Sequence, residues 1–200
     1  MNDFITQRDA ASRQLSTAIR MYFSGGDQVA VHTLACAARE IFEKHCERTG
    51  IDRLFDHIRE AHALSDKNLW TILNGARNFF KHPSDSLDDA IELRDSDNKA
   101  ILFVACHDCA MLLREAQPVE VQAFNLWFMA TEFPSDFQSE DQFRAMEILK
   151  QIDAKYPGLR QASPCDQKAW GNRILTESLA CSAKHSDWQV FGAIRGFSVE

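Results

Sequence analysis

The sequence predicts an all-α protein, an antiparallel helical bundle with short connections. Apolar residues recur along most of the 200-residue chain with the 3.6-residue period of an amphipathic helix. The chain has no alternating strand pattern of useful length, no internal repeat and no low-complexity tract. Successive helices joined by short connections usually pack as antiparallel neighbours. A chain of this length should bury roughly 70% of its unfolded surface, so we expect a core that needs no disulfides.

Two helices that end at glycines are predicted first. The apolar residues between 4 and 23 follow a helical period, and Gly25 with Gly26 then supplies a stop. Asp27 is placed to cap the second helix. Before Gly50 ends it, that helix carries an apolar stripe of close to 3.6-residue period, formed by Val31, Leu34, Ala35, Ala38, Ile41 and Phe42.

The next two predicted helices lead to a polar motif. Residues 51–63 form a short, less regular helix, and Ser65 then caps a helix that ends in RNFFKH, residues 77–82. Pro83 disfavours the α conformation at His82, so the helix should end there. The apolar stripe of this helix is formed by Leu69, Ile72, Leu73, Ala76, Phe79 and Phe80.

Four further helices and two connectors complete the prediction. Residues 83–98 read as a polar connector to a helix marked by Ile101 and Cys109, and Pro118 opens a helix whose Phe124 and Trp127 face inward. After the connector FPSDFQS we predict a helix that carries Phe143, Met146, Leu149 and Ile152. A last helix follows, capped by Ser163. We therefore divide the chain into a bundle over 1–134 and a C-terminal helical extension over 135–200 that packs on the same domain.

Charge and cysteine content limit the classes of function. The formal net charge of −7 argues against a broad non-specific grip on nucleic acid, so any such role must depend on a local site. The six cysteines are too sparse for a secreted disulfide scaffold. The start, MNDFITQRDA, resembles no signal peptide, and the apolar runs are too short to span a bilayer. We expect a cytoplasmic protein without membrane association.

Metal and cofactor motifs find little support. Cys106, His107 and Cys109 in ACHDC could suggest half of a zinc site, but no second pair lies at metal-ligand spacing, and both cysteines fall near the apolar face of a helix. The sequence contains no glycine-rich phosphate loop after a strand, no HExxH and no GxSxG. We expect neither a metal nor a cofactor.

The motif RNFFKH contains the residue types that a metal-free ribonuclease needs. An arginine such as Arg77 can stabilise the charge that develops on a phosphate, and a histidine such as His82 can transfer a proton. Asn78 could orient a neighbouring imidazole or phosphate. The structural alternative is that Arg77 and Lys81 simply favour a helix C-terminus and that His82 is a polar cap.

A second Arg-to-His match, from Arg39 to His45, shows that the bare spacing does not decide. Context favours Arg77, because Arg39 is followed by Glu40, whose charge would repel a phosphate. Residues five apart on a continuous helix lie about 140° apart around its axis. His82 must therefore turn back where the helix ends, or a second chain must bring another copy of the motif into the same cleft.

At these residues the chain resembles the HEPN superfamily of all-helical domains, which are marked by an arginine, a polar residue, a short spacer and a histidine. The resemblance covers roughly residues 5–130 as a helix order and is carried by RNFFKH. NFFKH and AFNLWF are also similar to stretches of an uncharacterised group of bacterial helical proteins, a likeness that carries no activity.

The HEPN resemblance implies a homodimer whose two motif copies face one cleft and cleave RNA without metal, leaving a cyclic phosphate. Arg77 and His82 would be catalytic, and Asn78 would orient them. The expected function is an endoribonuclease of toxin or phage-defence type, with RNA as substrate and an antitoxin or regulatory protein as a further partner. The alternative is a non-catalytic helical module for dimerisation or interaction, since many members of the superfamily are inactive.

Overall fold

The computed structural model describes residues 4–61, 65–133 and 142–184, and within these ranges the chain is helical with no strand. The predicted all-α bundle is therefore confirmed. A short 3₁₀-helix, Arg114–Ala116, follows the fifth α-helix. The α-helices are α1 (Gln7–Ser24), α2 (Gln28–Thr49), α3 (Leu54–Ala61), α4 (Asp66–Lys81), α5 (Asp95–Leu113), α6 (Val119–Glu132), α7 (Gln142–Lys155) and α8 (Pro164–Ser182).

The predicted helix caps are confirmed. The side chains of Asp27 and Ser65 accept hydrogen bonds from the amides of Ala30 at 2.8 Å and Asn68 at 3.2 Å, satisfying donors that the first turn of a helix leaves free. At the other end of α2, Gly50 adopts a left-handed φ of 67°, which a residue without a Cβ adopts at little cost. These local choices fix where α2 and α4 begin and where α2 ends.

The described residues up to Gln117 form one compact unit with α2 at its centre. Helix α2 packs against α1 and α5, and α1 also contacts α5. Apolar side chains from these three helices are almost fully buried, as their 3.6-residue periods predict. The core includes Leu15, Ile19, Phe42, Ile101 and Leu102.

Helices α3 and α4 lie at the edge of this unit. Helix α3 begins at Leu54, later than the predicted start at 51, because the Leu54 amide donates to the buried Asp108 carboxylate at 3.1 Å. Helix α4 packs on α2, with Leu73 directed inward. The placement of Ile72 in the inward stripe was wrong: its side chain is 67% exposed, because adjacent residues lie about 100° apart on a helix.

The polar connector is shorter than predicted. Helix α5 begins at Asp95, so the last four residues of the predicted connector form its first turn. Acidic side chains there favour the positive end of the helix dipole, and the Asp97 carboxylate accepts from the Arg94 amide at 2.9 Å. The connector therefore spans residues 82–94 in the structure.

The described residues from Pro118 onwards form a second compact unit, made of α6, α7 and α8. Trp127 on α6 donates its indole N–H to the carbonyl of Gln167 at 2.6 Å, and Ile152 and Ile174 are fully buried. This division falls before α6, whereas the predicted one at residue 134 falls after it, because α6 packs with α7 and α8. The packing of the extension on the bundle stays a prediction.

Some predicted features lie outside the described residues. These are residues 62 and 63 of the predicted helix 51–63, most of the connector FPSDFQS, residues 185–200 of the predicted extension, and the side chains of Leu69, Phe143 and Met146. In the part of the chain that is described, no helix combines the length and the apolar character that a membrane crossing requires.

Candidate functional site

Helix α4 presents a stripe of polar and aromatic side chains to a cleft. Lys67, Trp70, Asn74 and Arg77 are spaced three, four and three residues apart, so they share one face of the helix. Trp70 is 53% exposed although it is large and apolar. The inward face of the same helix carries Leu73 and belongs to the core, so α4 separates a core face from a cleft face.

Arg77 is held in a fixed position on the cleft wall. One terminal nitrogen of its guanidinium donates to the Glu40 carboxylate on α2 at 2.7 Å, and the other donates to the side-chain oxygen of Asn78 at 3.0 Å. The side chain remains 20% exposed. A guanidinium has five N–H donors, so these two bonds leave donors for a ligand in the cleft.

Arg39 is a buried residue on α2 that forms part of the floor of the cleft. Its side chain is only 3% exposed and donates to the carboxylate of Glu43 and, at 2.7 Å, to the side-chain oxygen of Asn74. Its Nε atom is buried without a hydrogen-bond partner among the described residues. Because Asn74 also donates to the carbonyl of Trp70 at 3.0 Å, Arg39 links α2 to the polar stripe of α4.

The cleft itself has a volume of about 620 Å³ and lies between α2, α3 and α4. Arg53, immediately before α3, reaches Glu43 at 3.7 Å and forms two hydrogen bonds with Asp56, while its guanidinium lies over the ring of Phe55 at 5.6 Å. The complete lining is formed by Arg39, Glu40, Glu43, Arg53, Phe55, Lys67, Trp70, Asn74 and Arg77. Four cations, two carboxylates and two aromatic rings therefore share one opening.

The carboxylate of Glu43 depends on the cations around it. Burial raises the pKa of Glu43, because a charged carboxylate loses solvation, while Arg39 and Arg53 act in the opposite direction. The pKa is raised on balance, so the two arginines only partly offset the desolvation. The floor of the cleft thus contains a carboxylate whose ionised form is stabilised by the neighbouring guanidinium groups.

His82 does not lie in this cleft. It forms the C-cap of α4 in an extended conformation, with φ −113° and ψ 138°, and its amide donates to the Asn78 carbonyl at 2.9 Å. Its side chain is exposed and lines no part of the cleft that Arg77 lines. Within one chain, the structure brings the side chain of Asn78 to Arg77, whereas the side chain of His82 does not line the cleft.

The second motif match separates in the same way. Arg39 faces the cleft, while His45 lies on another face of α2, in a different cavity lined in part by Phe42 and Leu112. The sequence argument set Arg39 aside as a chance match. The structure places it beside Arg77, with Asn74 joining the two helices.

The residues of ACHDC are mostly buried. Cys106 and Cys109 are fully buried free thiols, and burial raises the pKa of Cys109 to about 12. His107 is half-buried, with Nδ1 at 3.3 Å from the carboxylate of Asp108. Among the described residues, no group of three or more histidine, cysteine, aspartate or glutamate side chains is arranged to hold a metal ion.

Sequence reasoning missed most of the cleft, namely Arg39, Glu43, Arg53, Lys67, Trp70 and Asn74. One signal could have found the part on α4, because the spacing of Lys67, Trp70, Asn74 and Arg77 follows a helical period with polar and aromatic residues. The contributions of α2 and α3 depend on tertiary packing and leave no such pattern.

Comparisons with protein-family models, with curated proteins and with solved structures found no match for this chain.

Proposed function

We propose that this protein is a metal-independent endoribonuclease of toxin or phage-defence type that acts as a homodimer. Arg77 binds the scissile phosphate in the cleft, and His82 of the second chain transfers a proton as general acid or base. The observation that carries the proposal is the position of Arg77, fixed by Glu40 and Asn78 on the wall of a cleft with three further cations.

The composition of the cleft supports RNA as the ligand. Arginine donors suit phosphate oxygens, and the half-exposed indole of Trp70 offers a surface on which an unpaired base can stack. Trp70 and Arg77 lie two helical turns apart on one face of α4, roughly 10 Å along the helix axis. A nucleotide bound at Trp70 could thus place its neighbouring phosphate near Arg77. The net charge of −7 is compatible with this, because the cations are local.

The separation of Arg77 and His82 supports a composite site. The proposal requires a proton-transfer group within hydrogen-bonding reach of the phosphate. His82 of the same chain lies outside the cleft, whereas a symmetric homodimer can supply His82 from the other chain twice, once to each cleft. The proposed RNA substrate and the homodimer are therefore one hypothesis.

A cleavage assay in the presence of EDTA tests the chemistry. His82→Ala should lower the cleavage rate of an unstructured RNA by about 100-fold or more, and Arg77→Ala should lower it as well. His45→Ala is the matched control and should keep the wild-type rate. Wild-type protein that cuts neither structured nor unstructured RNA, or a His82→Ala variant that cuts equally well, would remove the nuclease proposal.

Mixing the two inactive variants tests the composite site. In a dimer that combines one chain of each variant, one cleft contains an intact Arg77 and an intact His82 from opposite chains. Half of randomly exchanged dimers are mixed and each has one complete site of two, so about a quarter of the wild-type rate should return. If the two residues act within one chain, mixing restores nothing.

Trp70→Leu separates binding from chemistry. Losing one stacked base should weaken RNA binding by about 5- to 150-fold, which corresponds to about 1–3 kcal/mol. The single-turnover rate at saturating RNA should stay close to the wild-type value. Fluorescence anisotropy of a labelled oligonucleotide gives the affinity, and a lower rate with unchanged affinity would contradict a stacking role.

The alternative is a non-catalytic helical interaction module, and one observation favours it. The His82 side chain is exposed, and no hydrogen bond or ion pair orients it within the described part of the chain. In that case Arg77 and Glu40 form an ion pair that joins α4 to α2. The alternative predicts no cleavage by the wild-type protein and a loss of stability in Arg77→Ala.

A further inference from the structure

A second cavity, on the opposite side of α4 from the cleft, carries chemistry that the proposed nuclease does not use. Its volume is about 320 Å³, and it lies between α2, α4, α5 and the segment that precedes α5. Its walls are mainly apolar and include Leu73, Ala76 and Ile101. This volume lies at the lower end of the range for small-molecule sites.

One side chain in the cavity wall, His32, is buried without a full set of hydrogen bonds. It is 4% exposed, and its Nε2 atom has no partner among the described residues. Its other nitrogen, Nδ1, lies 3.0 Å from the side-chain oxygen of Asn98. Leaving a polar atom buried and unpartnered destabilises a fold, so the free nitrogen calls for a ligand or a water molecule.

The hydrogen bonds around Asn98 determine which proton His32 carries. The Asn98 amide nitrogen donates to the Gln28 carbonyl at 3.1 Å, so its oxygen faces the imidazole. That oxygen can only accept, so Nδ1 of His32 must be the protonated nitrogen. Burial lowers the pKa of His32, which favours the neutral ring over the charged one. Nε2 is therefore a bare acceptor, and its partner must present an N–H or O–H group.

A glycine in the cavity wall is a second, independent observation. Gly75 lies in the interior of α4, where glycine is among the poorest helix formers. Its φ is not positive, and a Cβ built on it would meet no atom within 4 Å. Neither backbone conformation nor close packing therefore requires glycine there. Its effect is to leave room in the wall of this cavity.

We propose that this cavity binds a small, uncharged and mainly apolar molecule that donates one hydrogen bond to Nε2 of His32. The apolar walls exclude a strongly solvated group, and the acceptor nitrogen selects for an alcohol, a phenol or an N–H heterocycle. Ile72 and Ile91, which are 67% and 40% exposed, also line the cavity and offer an apolar entrance. The charged residues of the lining are Glu92, Arg94 and Asp97, and Arg94 pairs with Asp97 at 3.4 Å, so the lining has no net positive charge that would favour an anion.

The probe for this site is indole, and its matched control is indene, which has nearly the same shape but no N–H donor. Long-range ¹H–¹⁵N NMR of the histidine side chains first tests the tautomer, because a bare Nε2 has a distinct nitrogen shift. Titration with indole should then move the Nε2 signal of His32. Indene should bind about 10-fold more weakly, since it leaves Nε2 without a partner.

Two substitutions at one position provide the control for the cavity. Gly75→Leu should abolish indole binding, because its side chain occupies the open space, and leucine is a good helix former. Gly75→Ala should raise the melting temperature by about 2–4 °C and weaken binding less. Circular dichroism of both variants establishes that the fold is retained. Neither substitution touches Arg77 or His82, so RNA cleavage tests the nuclease proposal separately.

Three results would overturn the proposal. The first is a His32 signal that millimolar indole leaves unchanged in the wild-type protein, which would mean that water alone occupies the cavity. The second is equal affinity for indole and indene, which would remove the role of Nε2. The third is wild-type affinity for indole in a folded Gly75→Leu variant, which would place binding elsewhere.

Discussion

Replacing Arg39 by methionine tests how the floor of the cleft is held together. Methionine keeps much of the volume of the side chain but removes the donors to Glu43 and Asn74. Breaking a buried ion pair by removing one partner costs about 3–5 kcal/mol, because a charge stays buried without compensation. Glu43 is 21% exposed and keeps Arg53 at 3.7 Å, so we expect the lower end, about 3 kcal/mol.

The loss should depend on pH in a defined direction. The pKa of Glu43 is already raised by burial, and Arg39 is the largest influence that opposes the rise, so Arg39→Met should raise it further. A group with a raised pKa in the folded state binds more protons there than in the unfolded state, so stability falls as pH rises through that pKa. The difference between variant and wild type should therefore shrink as pH is lowered from 8 to 5.

Urea denaturation of both proteins at several pH values measures this effect. Arg53→Met is the comparison variant: its guanidinium pairs with the partly exposed carboxylate of Asp56 and reaches Glu43 only at 3.7 Å, while Arg39 stays in place, so it should cost less than about 1 kcal/mol. The double variant Arg39→Met/Glu43→Gln should recover much of the loss, because the uncompensated charge is gone. A loss below about 1 kcal/mol in Arg39→Met, or one that is constant with pH, would refute the reasoning.

Two further predictions concern thiols and assembly. Ellman's reagent should modify the exposed Cys165 quickly in native protein. It should modify the four buried thiols only after unfolding, because burial both covers them and raises their pKa; these are Cys36, Cys46, Cys106 and Cys109. Fast reaction of all six cysteines in native protein would contradict the packing of α2 on α5. Light scattering at micromolar concentration should give the mass of two 22.7 kDa chains, and an active monomer would refute the composite site.

The sequence predicted the helices well because their signals are local. The caps at Asp27, Ser65 and Ser163 and the stop at Gly50 each satisfy backbone groups within a few residues, so they can be recognised without tertiary structure. The errors occurred where a local signal was ambiguous. Ile72 is apolar and lies beside the predicted apolar stripe, so the sequence alone assigns it to the buried face. Only the packing of α4 on α2 decides which side of that stripe is buried.

The cleft was harder to predict because its parts come from distant stretches of sequence. Arg39 and Asn74 are 35 residues apart in the chain, yet they form a buried hydrogen bond at 2.7 Å. Arg39 was not chosen as a phosphate-binding residue because the charge of its neighbour Glu40 would repel a phosphate. In the structure Glu40 pairs with Arg77 instead, so the carboxylate that counted against one arginine positions the other.

The position of His82 follows from helix geometry and determines what a catalytic site would require. Arg77 lies on the face of α4 that carries Trp70 and Asn74, and it pairs with Glu40 on α2. A residue five positions further lies about 140° around the axis, and Pro83 ends the helix before another turn can bring a side chain back to that face. The proposed reaction therefore takes its His82 from a second copy of the motif, because His82 of the same chain does not line the cleft of Arg77.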